Sequence, residues 1–405
     1  MIRELSISGF KSFGTTGQKI GLGNLNFIVG ANASGKTNFV SALRFLQLAV
    51  REGTEFAVNE FGGIGEVRNR ILRERRSPKP MTLSIVMDGN EIRLGERKGS
   101  SLQISEFRYS LSLDLRQQSG IPQVQSETVI AEIRDKNGRE IPYKLQRSKD
   151  VVQILDHTDW GPTKQQTLKV PNQESTRLAL GVGLYSLPTV ILRDLILNWR
   201  FYNISPDRAR LPFKETPEID LGPHGENLAV VLHKIEQMNG KGTLESIISG
   251  LKGAVPGFKG IKPIKLPVEG KWAFQVIEER IKGAINPDSV SDGTIRLLAL
   301  MVITSWAAHD TSLLVIEEPE NGLHPHLSEH IVSLLRSASQ RKQTIVTTHN
   351  PAFLDHLEPH EVLLCDKLNG FTKIRRASDI DQIDQFRKHF RLGELWIQGT
   401  LGGIP

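Results

Sequence analysis

The eight residues from Gly30 to Thr37 read Gly-Ala-Asn-Ala-Ser-Gly-Lys-Thr, which matches the Gly-x-x-x-x-Gly-Lys-Thr pattern of a phosphate-binding loop. In such a loop the glycines let backbone N–H groups turn toward a β-phosphate. Lys36 would then reach the β- and γ-phosphates, and the hydroxyl of Thr37 would bind Mg²⁺. A helix that begins at this point adds a favourable dipole for an anion. The pattern therefore predicts a site that binds ATP with Mg²⁺ and hydrolyses it.

The residues on either side of this phosphate loop support the prediction. Leu25–Val29 is a short apolar run that is typical of a buried strand, and the apolar residues after the loop recur at helical spacing. A glycine-rich turn without a ligand is the alternative. The order of strand, loop and helix disfavours that alternative, because it is the setting in which the motif binds phosphate.

An acidic pair, Glu317 and Glu318, follows the apolar run Leu313–Ile316. This is the arrangement of a Walker B motif, in which the first acid faces Mg²⁺ through water and the second polarises the attacking water. A buried strand that emerges into an acidic loop is the alternative, and the phosphate loop upstream disfavours it. Glutamate stands at the first position, where aspartate is commoner, so the extra methylene requires a deeper pocket or an intervening water.

A glycine turn, Ser291–Thr294, precedes an apolar helix shortly before the acidic pair. Ser291 or Asp292 is expected to cap that helix and to leave backbone N–H groups for an anion. Ordinary helix capping accounts for most turns of this kind. His349 stands at the end of a later predicted strand, and its sequence setting alone is that of an ordinary strand-end histidine.

Composition limits the class of protein. The chain has 405 residues, 39% of them apolar and 24% charged, which is typical of a soluble globular protein. No apolar run is long enough to span a membrane, and the first residues lack a secretory pattern. Cys365 is the only cysteine, which excludes an intramolecular disulfide and favours a cytoplasmic location. A net charge of +6 permits nucleic-acid binding without requiring it.

The order of predicted elements indicates an α/β protein. We divide the chain into an N-terminal lobe (1–170), an insertion (171–290) and a C-terminal lobe (291–405). Antiparallel strands are expected from about Met81 to Ile133, and alternating helices and strands after Ser291 imply a parallel sheet. The more local expectations are a hairpin turn at Asp88–Asn90, helices at Leu178–Asn198 (broken at Pro188), Asn227–Met238 and Gly242–Leu251, and a linker or exposed loop at Pro256–Gly270.

These motifs together resemble the SMC/RecF-like branch of the ABC-type ATPases. The resemblance is strongest to stand-alone ATPases with an AAA_21-type domain, which are related to the ATPase half of OLD-family proteins. It covers both ends of the chain well and residues 175–285 poorly. It implies a P-loop ABC-type ATPase head with a parallel core sheet, an additional antiparallel β-sheet and an inserted, mostly helical subdomain. Besides the motifs above, four further segments show the resemblance: Gly9–Phe13, Glu317–Pro325, Thr347–His349 and Leu392–Trp396.

The resemblance also implies roles for individual residues. Two protomers of such ATPases sandwich two ATP molecules, so this chain is expected to form a homodimer. Asn321–His324 would be the D-loop that crosses the dimer interface. The implied catalytic residues are Lys36, Glu318 and His349 (the switch histidine at the γ-phosphate); the implied Mg²⁺ ligands are Thr37 and Glu317; and the implied nucleotide-binding residues are Gly30, Asn32, Ser34, Gly35, Lys36, Thr37, Asn38 and, for the partner's γ-phosphate, Ser291 and Gly293.

Two features of the transporter branch are missing from the pattern. The sequence Leu-Ser-Gly-Gly-Gln does not occur, and no Q-loop glutamine can be assigned, although Gln47 and Gln103 are candidates. The main functional hypothesis is a cytoplasmic ATPase whose ATP-driven dimerisation controls a separate effector protein, in bacterial defence against phage or in a toxin-like system. The alternatives are a RecF-like DNA repair or maintenance ATPase and a non-hydrolysing scaffold that ATP stabilises.

Three further patterns have weaker functional interpretations. In the RecF-like alternative a cluster of basic residues would contact DNA phosphates: Arg68, Arg70, Arg73, Arg75, Arg76 and Lys79. Few aromatic residues stand among them, which favours a solvated loop. Asp379–Asp381 resembles a TOPRIM nuclease motif, but capping by Ser378 or Asp379 of a helix through Phe386 is the preferred interpretation. Three histidines occur close together, namely His324, His326 and His330. A metal site there is disfavoured, because no cysteine or acidic residue stands at a spacing that would complete one.

Overall fold

A computed structural model gives the fold of this chain. It describes residues 1–69, 71, 79–97, 100–115, 120–156, 164–171, 174–182, 186–217, 220–238, 241–267, 269–306 and 311–402. Within those ranges no helix has the length and apolar character that crossing a membrane requires.

The strands are, in chain order, β1 Ile2–Ser8, β2 Gln18–Gly21, β3 Leu25–Val29, β4 Met81–Arg97, β5 Ser100–Asp114, β6 Gln123–Asp135, β7 Glu140–Ser148, β8 Val151–Asp156, β9 Lys164–Lys169, β10 Trp199–Tyr202, β11 Phe213–Lys214, β12 Phe258–Lys265, β13 Lys271–Glu278, β14 Ala284–Ile285, β15 Leu313–Glu317, β16 Gln343–Thr348, β17 Val362–Leu368 and β18 Phe371–Arg376.

The α-helices are, in the same order, α1 Lys36–Glu52, α2 Thr54–Glu60, α3 Ile64–Val67, α4 Ala179–Val182, α5 Leu187–Leu197, α6 Pro206–Ala209, α7 Leu228–Met238, α8 Lys241–Ala254, α9 Asp292–Trp306, α10 Ser328–Ser339, α11 Pro351–Leu354, α12 Ile383–Phe386 and α13 Leu392–Ile397.

The chain forms two compact units, each assembled from separate stretches of sequence. The first unit contains residues 1–23, 30–199 and 363–376, and the second contains residues 24–29, 200–362 and 377–405. The domain boundaries expected near residues 170 and 290 divide the chain into three consecutive segments, and they stay a prediction.

An eight-stranded antiparallel sheet, in the order β2-β1-β4-β5-β6-β7-β8-β9, forms much of the first unit. Along β6 the buried and exposed residues alternate, as expected for a sheet with one face against the core. The expected hairpin at Asp88–Asn90 is wrong, because β4 continues to Arg97 with a register shift between Asp88 and Ile92. A Cβ at Gly89 would lie 2.3 Å from the carbonyl oxygen of Ile104 in β5, so this glycine permits a close approach of two strands and not a turn.

The second unit contains parallel strands in the order β15-β16-β3, with β10 beside β15. All residues of β3 and β16 are buried, which explains why neither sequence alternates between apolar and charged residues. The alternation of helices and strands after Ser291 predicted this parallel arrangement correctly. The register pairs Glu317 with Thr347 and Thr348 with Val29, so the carboxyl ends of the three strands share one edge of the sheet.

A second, smaller antiparallel sheet (β11, β13, β12, with β14 beside β13) also lies in the second unit. The linker expected at Pro256–Gly270 is wrong, since β12 pairs with β13 across seven residue pairs. The content of Pro, Gly and Lys hid a strand in which Phe258 and Ile261 are buried, while Lys259 and Lys262, which follow them directly, are exposed. Pro263 lacks a backbone N–H, and it is tolerated because β12 is an edge strand, which pairs with a neighbour on one side only.

The expected helix through Phe386 is also wrong. A short 3₁₀ helix, Ala377–Asp379, is followed by the one-turn helix α12. Gln382 separates them with a φ of 63°, in the left-handed region that a continuous helix cannot contain.

Candidate functional site

The phosphate loop leads into the N-terminus of α1, and its two glycines are required by neighbouring atoms. Gly35 has a φ of 119°, and a Cβ on it would lie 2.0 Å from Oγ1 of Thr372. A Cβ on Gly30 would lie 2.3 Å from the carbonyl oxygen of Cys365. Any side chain at either glycine would therefore force the loop away from β17 and β18, which carry these neighbours.

Thr372 limits the shape of the phosphate loop and also supports the loop through hydrogen bonds of its hydroxyl group. Oγ1 of this buried threonine donates to the carbonyl oxygen of Ser34 at 2.8 Å and lies 2.6 Å from Oγ of Ser12. Asn38 in turn donates through Nδ2 to Oγ of Ser12 at 2.7 Å. These three side chains form a chain of hydrogen bonds that fixes the loop from behind. Thr372 is 338 residues from Ser34 in sequence, and no sequence signal indicated it.

The side chains expected to contact phosphate have distinct settings. Lys36 is buried, and its Nζ donates to the carbonyl oxygens of Gly30 (2.6 Å) and Ala31 (3.0 Å) at the mouth of the loop. Thr37 and Asn32 are exposed. The loop thus presents a lysine and a hydroxyl on the same short segment, which is the chemistry that a phosphate with its metal requires.

An open cleft of about 380 Å³ adjoins Asn38 and Ser12 in the first unit. Lys11 lies in its wall with Nζ 4.8 Å from the ring centroid of Phe61, and burial lowers the pKa of this lysine. Arg68 also lines the cleft. A cationic wall with an aromatic ring is suited to an anionic or aromatic ligand.

Cys365 lies behind the loop and is fully buried. Burial raises the pKa of its thiol to about 11, so it remains a neutral thiol and packs as a small apolar group.

The acidic pair stands at the carboxyl end of β15 in the second unit. Glu318 adopts a φ of 45°, unusual for a residue with a side chain, and its N–H donates to the carbonyl oxygen of Thr347 at 2.9 Å. Its carboxylate accepts a hydrogen bond from Nδ2 of Asn321 at 2.8 Å and lies 3.3 Å from Nδ1 of His349. The structure therefore brings Glu318 and His349 together, two residues that sequence reasoning proposed separately.

Glu320 is a buried carboxylate that holds the segment containing His349. Its Oε1 accepts from the hydroxyl of Thr348 at 2.5 Å and from the N–H of His349 at 3.2 Å. The same oxygen lies 3.8 Å from Nδ1 of His349. Oε2 is buried without a hydrogen-bond partner among the described residues. Desolvation raises the pKa of Glu320, although these hydrogen bonds and the nearby histidine partly offset it.

The glycine turn lies at the start of α9. Oγ of Ser291 accepts from the N–H of Thr294 at 3.2 Å, so Ser291 caps the helix as expected and Asp292 is the first helical residue. An ideal Cβ on Gly293 would lie 3.0 Å from the carbonyl oxygen of Gly322, which shows that the turn packs directly on the Asn321–His324 segment.

Charged groups from α9 extend this cluster toward the acidic pair. Arg296 is only 9% exposed, and burial lowers its pKa. Glu320, Asp292 and Glu318 lie close enough to act on the guanidinium charge and to offset part of that shift. The turn and the acidic pair are thus electrostatically linked within one unit.

Several weaker sequence interpretations are settled by these positions. Gln47 is not a loop glutamine: it is buried in α1, where Nε2 donates to the carbonyl oxygen of Leu197 at the end of α5 (3.2 Å) and to that of Trp199 at the start of β10 (2.9 Å). Gln103 lies within β5. No group of three or more His, Cys, Asp or Glu side chains that could hold a metal ion occurs in the described ranges. Most of the basic cluster lies outside the described residues, namely Arg70, Arg73, Arg75 and Arg76.

Comparison with protein families gives a match over most of the chain. The AAA_21 model, described as "AAA domain, putative AbiEii toxin, Type IV TA system", matches residues 25–355. The match begins at β3 and ends just after His349, so it includes the phosphate loop, the glycine turn and the acidic pair.

Individual proteins match this chain either over a short stretch or at low sequence identity. Phosphate import ATP-binding protein PstB 2 of Mycobacterium tuberculosis is 26% identical over 127 residues, which are 30% of this chain and 44% of that protein. The match thus spans less than half the length of this relative. Among solved structures, an SMC head bound to the C-winged helix domain of ScpA is 16% identical, with a TM-score of 0.50 over 92% of this chain and 97% of that one.

A second solved structure gives the same result for the fold. The Smc head domain of Pyrococcus furiosus with an extended coiled coil, bound to the C-terminal domain of ScpA, is 12% identical. Its TM-score is 0.52 over 96% of this chain and 99% of that chain. The α/β fold expected from the sequence, that of a P-loop ABC-type ATPase head, is therefore confirmed.

Proposed function

This chain belongs to the AAA_21 family of ABC/SMC-like ATPases, and from that membership we propose that it hydrolyses ATP with Mg²⁺ and that ATP joins two copies of it into a dimer. The single observation that carries the proposal is the cluster in which Glu318 contacts both Asn321 and His349 at the end of β15. This cluster places a carboxylate beside a histidine at the strand edge from which β3 continues into the phosphate loop.

The residues of the loop fit a nucleotide and its metal. Gly35 keeps a backbone φ of 119° at which any side chain would clash with Thr372, so the loop has the glycine-dependent conformation that suits backbone N–H groups turned toward a phosphate. Lys36 supplies a buried cation, and Thr37 supplies an exposed hydroxyl that is suited to an oxygen-preferring metal. Bound Mg²⁺ would neutralise charge on the β- and γ-phosphates.

Each side chain then has a role that follows from its chemistry. Lys36 exchanges its loop carbonyls for phosphate oxygens, because a charge-assisted bond is the stronger one. Glu317 supports the metal with Thr37. Glu318 accepts hydrogen bonds from the attacking water and orients it, and His349 contacts the γ-phosphate. The remaining contacts to the nucleotide in the proposal are those of Gly30, Asn32, Ser34 and Asn38.

Dimerisation is proposed because the glycine turn has a shape that suits a phosphate of a second copy. Ser291 is exposed and caps α9 by accepting from the N–H of Thr294, and the N-terminus of a helix of this length favours an anion. Ser291 and Gly293 of one copy would complete the γ-phosphate site of the other. The solved SMC heads that share the fold were determined with parts of ScpA bound, which supports a separate protein partner here as well.

The controlled partner is proposed to be an effector protein in bacterial defence against phage or in a toxin-like system. The family description, which names a toxin and a toxin–antitoxin system, supports this setting. In this proposal ATP binding favours the dimer and hydrolysis resets it, so the nucleotide acts as a conformational switch.

Replacement of Glu318 by Gln tests the enzymatic proposal. The variant keeps the size of the side chain and loses the negative charge that orients water, so turnover should fall by about a hundredfold or more while ATP still binds. Steady-state phosphate release and mass measurement with and without ATP would show a slow enzyme that accumulates as an ATP-bound dimer. Glu329→Gln, on the exposed side of α10, is the matched control and should hydrolyse ATP at the normal rate.

The outcomes separate the three hypotheses. Normal turnover in the Glu318→Gln protein contradicts the catalytic assignment. ATP binding without measurable turnover in the unaltered protein favours a non-hydrolysing scaffold. ATP-dependent DNA binding that weakens steeply with salt favours the RecF-like alternative.

A further inference from the structure

Arg210 follows α6 directly, and its side chain contacts the segment that leads into the glycine turn. The side chain is only 11% exposed. Its Nε donates to the carbonyl oxygen of Pro287 at 3.1 Å, and Nη2 donates to the carbonyl oxygen of Val290 at 2.9 Å. Arg210 therefore bridges both ends of the short 3₁₀ helix that precedes the turn.

The same guanidinium also binds a carboxylate of the turn itself. Nη2 forms a short charge-assisted hydrogen bond with Oδ1 of Asp292, the first residue of α9. Nη1 lies 3.2 Å from Oδ1 of Asp207, an exposed residue within α6. One side chain thus fixes two backbone carbonyls before the turn and one carboxylate within it.

This geometry needs an arginine. The planar guanidinium donates in several fixed directions at once, whereas an ammonium group is a compact charge on a flexible stem. Ser291 lies between the two anchored residues, Val290 and Asp292, so its backbone is held on both sides.

We propose that Arg210 is a positioning residue that holds the glycine turn in the conformation with which it completes the nucleotide site of a second copy. This inference rests on the proposed ATP-driven dimer. Arg210 touches neither nucleotide nor water in this role, since it acts through Val290, Ser291 and Asp292. Sequence reasoning did not find it, because Arg210 is 82 residues from Asp292.

The experiment compares Arg210→Met and Arg210→Lys in the Glu318→Gln protein, with Arg208→Met as the matched control. Arg208 is an exposed arginine of α6. The dimer dissociation constant at saturating ATP, measured by sedimentation, should rise about tenfold or more for Arg210→Met, because it loses charge-assisted hydrogen bonds. Arg210→Lys should show a smaller loss. The affinity of the monomer for ATP should not change in any of the three.

Amide hydrogen exchange gives a second, independent measurement on the monomer without nucleotide. Exchange over residues 287–295 should accelerate in Arg210→Met and stay at the parent rate in Arg208→Met, since local opening follows the loss of the anchoring bonds. A variant that merely unfolds would accelerate exchange throughout the second unit, including β15 and β16.

The outcomes distinguish the inference from the proposed function. A Glu318→Gln parent that stays monomeric with ATP contradicts the proposed dimer and the inference that rests on it. A parent that dimerises while Arg210→Met dimerises equally well overturns the inference alone. Unchanged exchange over residues 287–295, or acceleration throughout the second unit, also overturns it, because Arg210 would then not hold the turn in particular.

Discussion

The phosphate loop and the acidic cluster are fixed by different physical means. The shape of the loop is limited by short steric approaches at Gly30 and Gly35 and by neutral hydrogen bonds from Thr372. The acidic cluster depends on charged groups, since a buried Glu320 holds the backbone of His349 and a buried Arg296 lies near three carboxylates. We therefore expect substitutions that change side-chain volume to affect the phosphate loop most, and substitutions that change side-chain charge to affect the acidic cluster most.

The largest effect is expected from Gly35→Ala. The added Cβ would lie 2.0 Å from Oγ1 of Thr372 at a backbone φ of 119°, so the loop must move. Strain of this kind costs about 3 kcal/mol or more, and ATP affinity measured by calorimetry should fall by more than about a hundredfold. Gly21→Ala is the control, because a Cβ there meets no atom within 4 Å. Wild-type affinity in the Gly35→Ala protein would show that steric limits do not shape the loop.

A smaller effect, on turnover, is expected from Glu320→Gln. The amide oxygen can still accept from Thr348 and His349, so the change removes the charge and keeps both of these hydrogen bonds, while an NH2 group replaces Oε2. The difference between a charge-assisted and a neutral hydrogen bond is about 1–1.5 kcal/mol, which corresponds to a loss in kcat of about tenfold. ATP affinity should be unchanged. An unaltered kcat would indicate that charge at Glu320 does not act on His349.

The same variant should change how stability depends on pH. Desolvation raises the folded-state pKa of Glu320 above its ordinary value of 4.5. As pH rises from 4.5 toward the raised value, the unfolded state loses the proton first, so the free energy of unfolding of the wild type falls. Glu320→Gln lacks this loss. Urea unfolding across this range should therefore show the variant gaining stability relative to the wild type as pH rises, and the opposite slope would contradict the direction of the shift.

The smallest effect is expected from Thr372→Val, which keeps the volume and removes the hydroxyl. The loss of bonds to Ser34 and Ser12 should cost about 0.5–1 kcal/mol and weaken ATP binding by about two- to fivefold. Thr372→Ser keeps the hydroxyl and serves as the control in the same binding assay. If both variants bind ATP like the wild type, the hydrogen bonds do not contribute to the support of the loop.

Errors in the sequence-based description of the fold have identifiable causes. At Asp88–Asn90, turn-forming residues were interpreted locally, but the neighbouring strand β5 keeps β4 extended. At Pro256–Gly270, composition concealed a strand in which both Phe258 and Ile261 are buried, with a register irregularity between Phe258 and Gly260. In both places the partner strand decided the structure, and it is not identified by a short stretch of sequence.

The sequence alone determined that a glycine loop with the pattern of a phosphate-binding loop follows an apolar strand and that carboxylates follow a buried strand, because these features depend on backbone preferences and side chains within a few residues of one another. The tertiary structure decided what holds them. Thr372, Glu320 and Arg210 act on partners that are 338, 29 and 82 residues away. Contacts over such separations exist only after the chain has folded, and burial then gives the charges their strength by removing them from water.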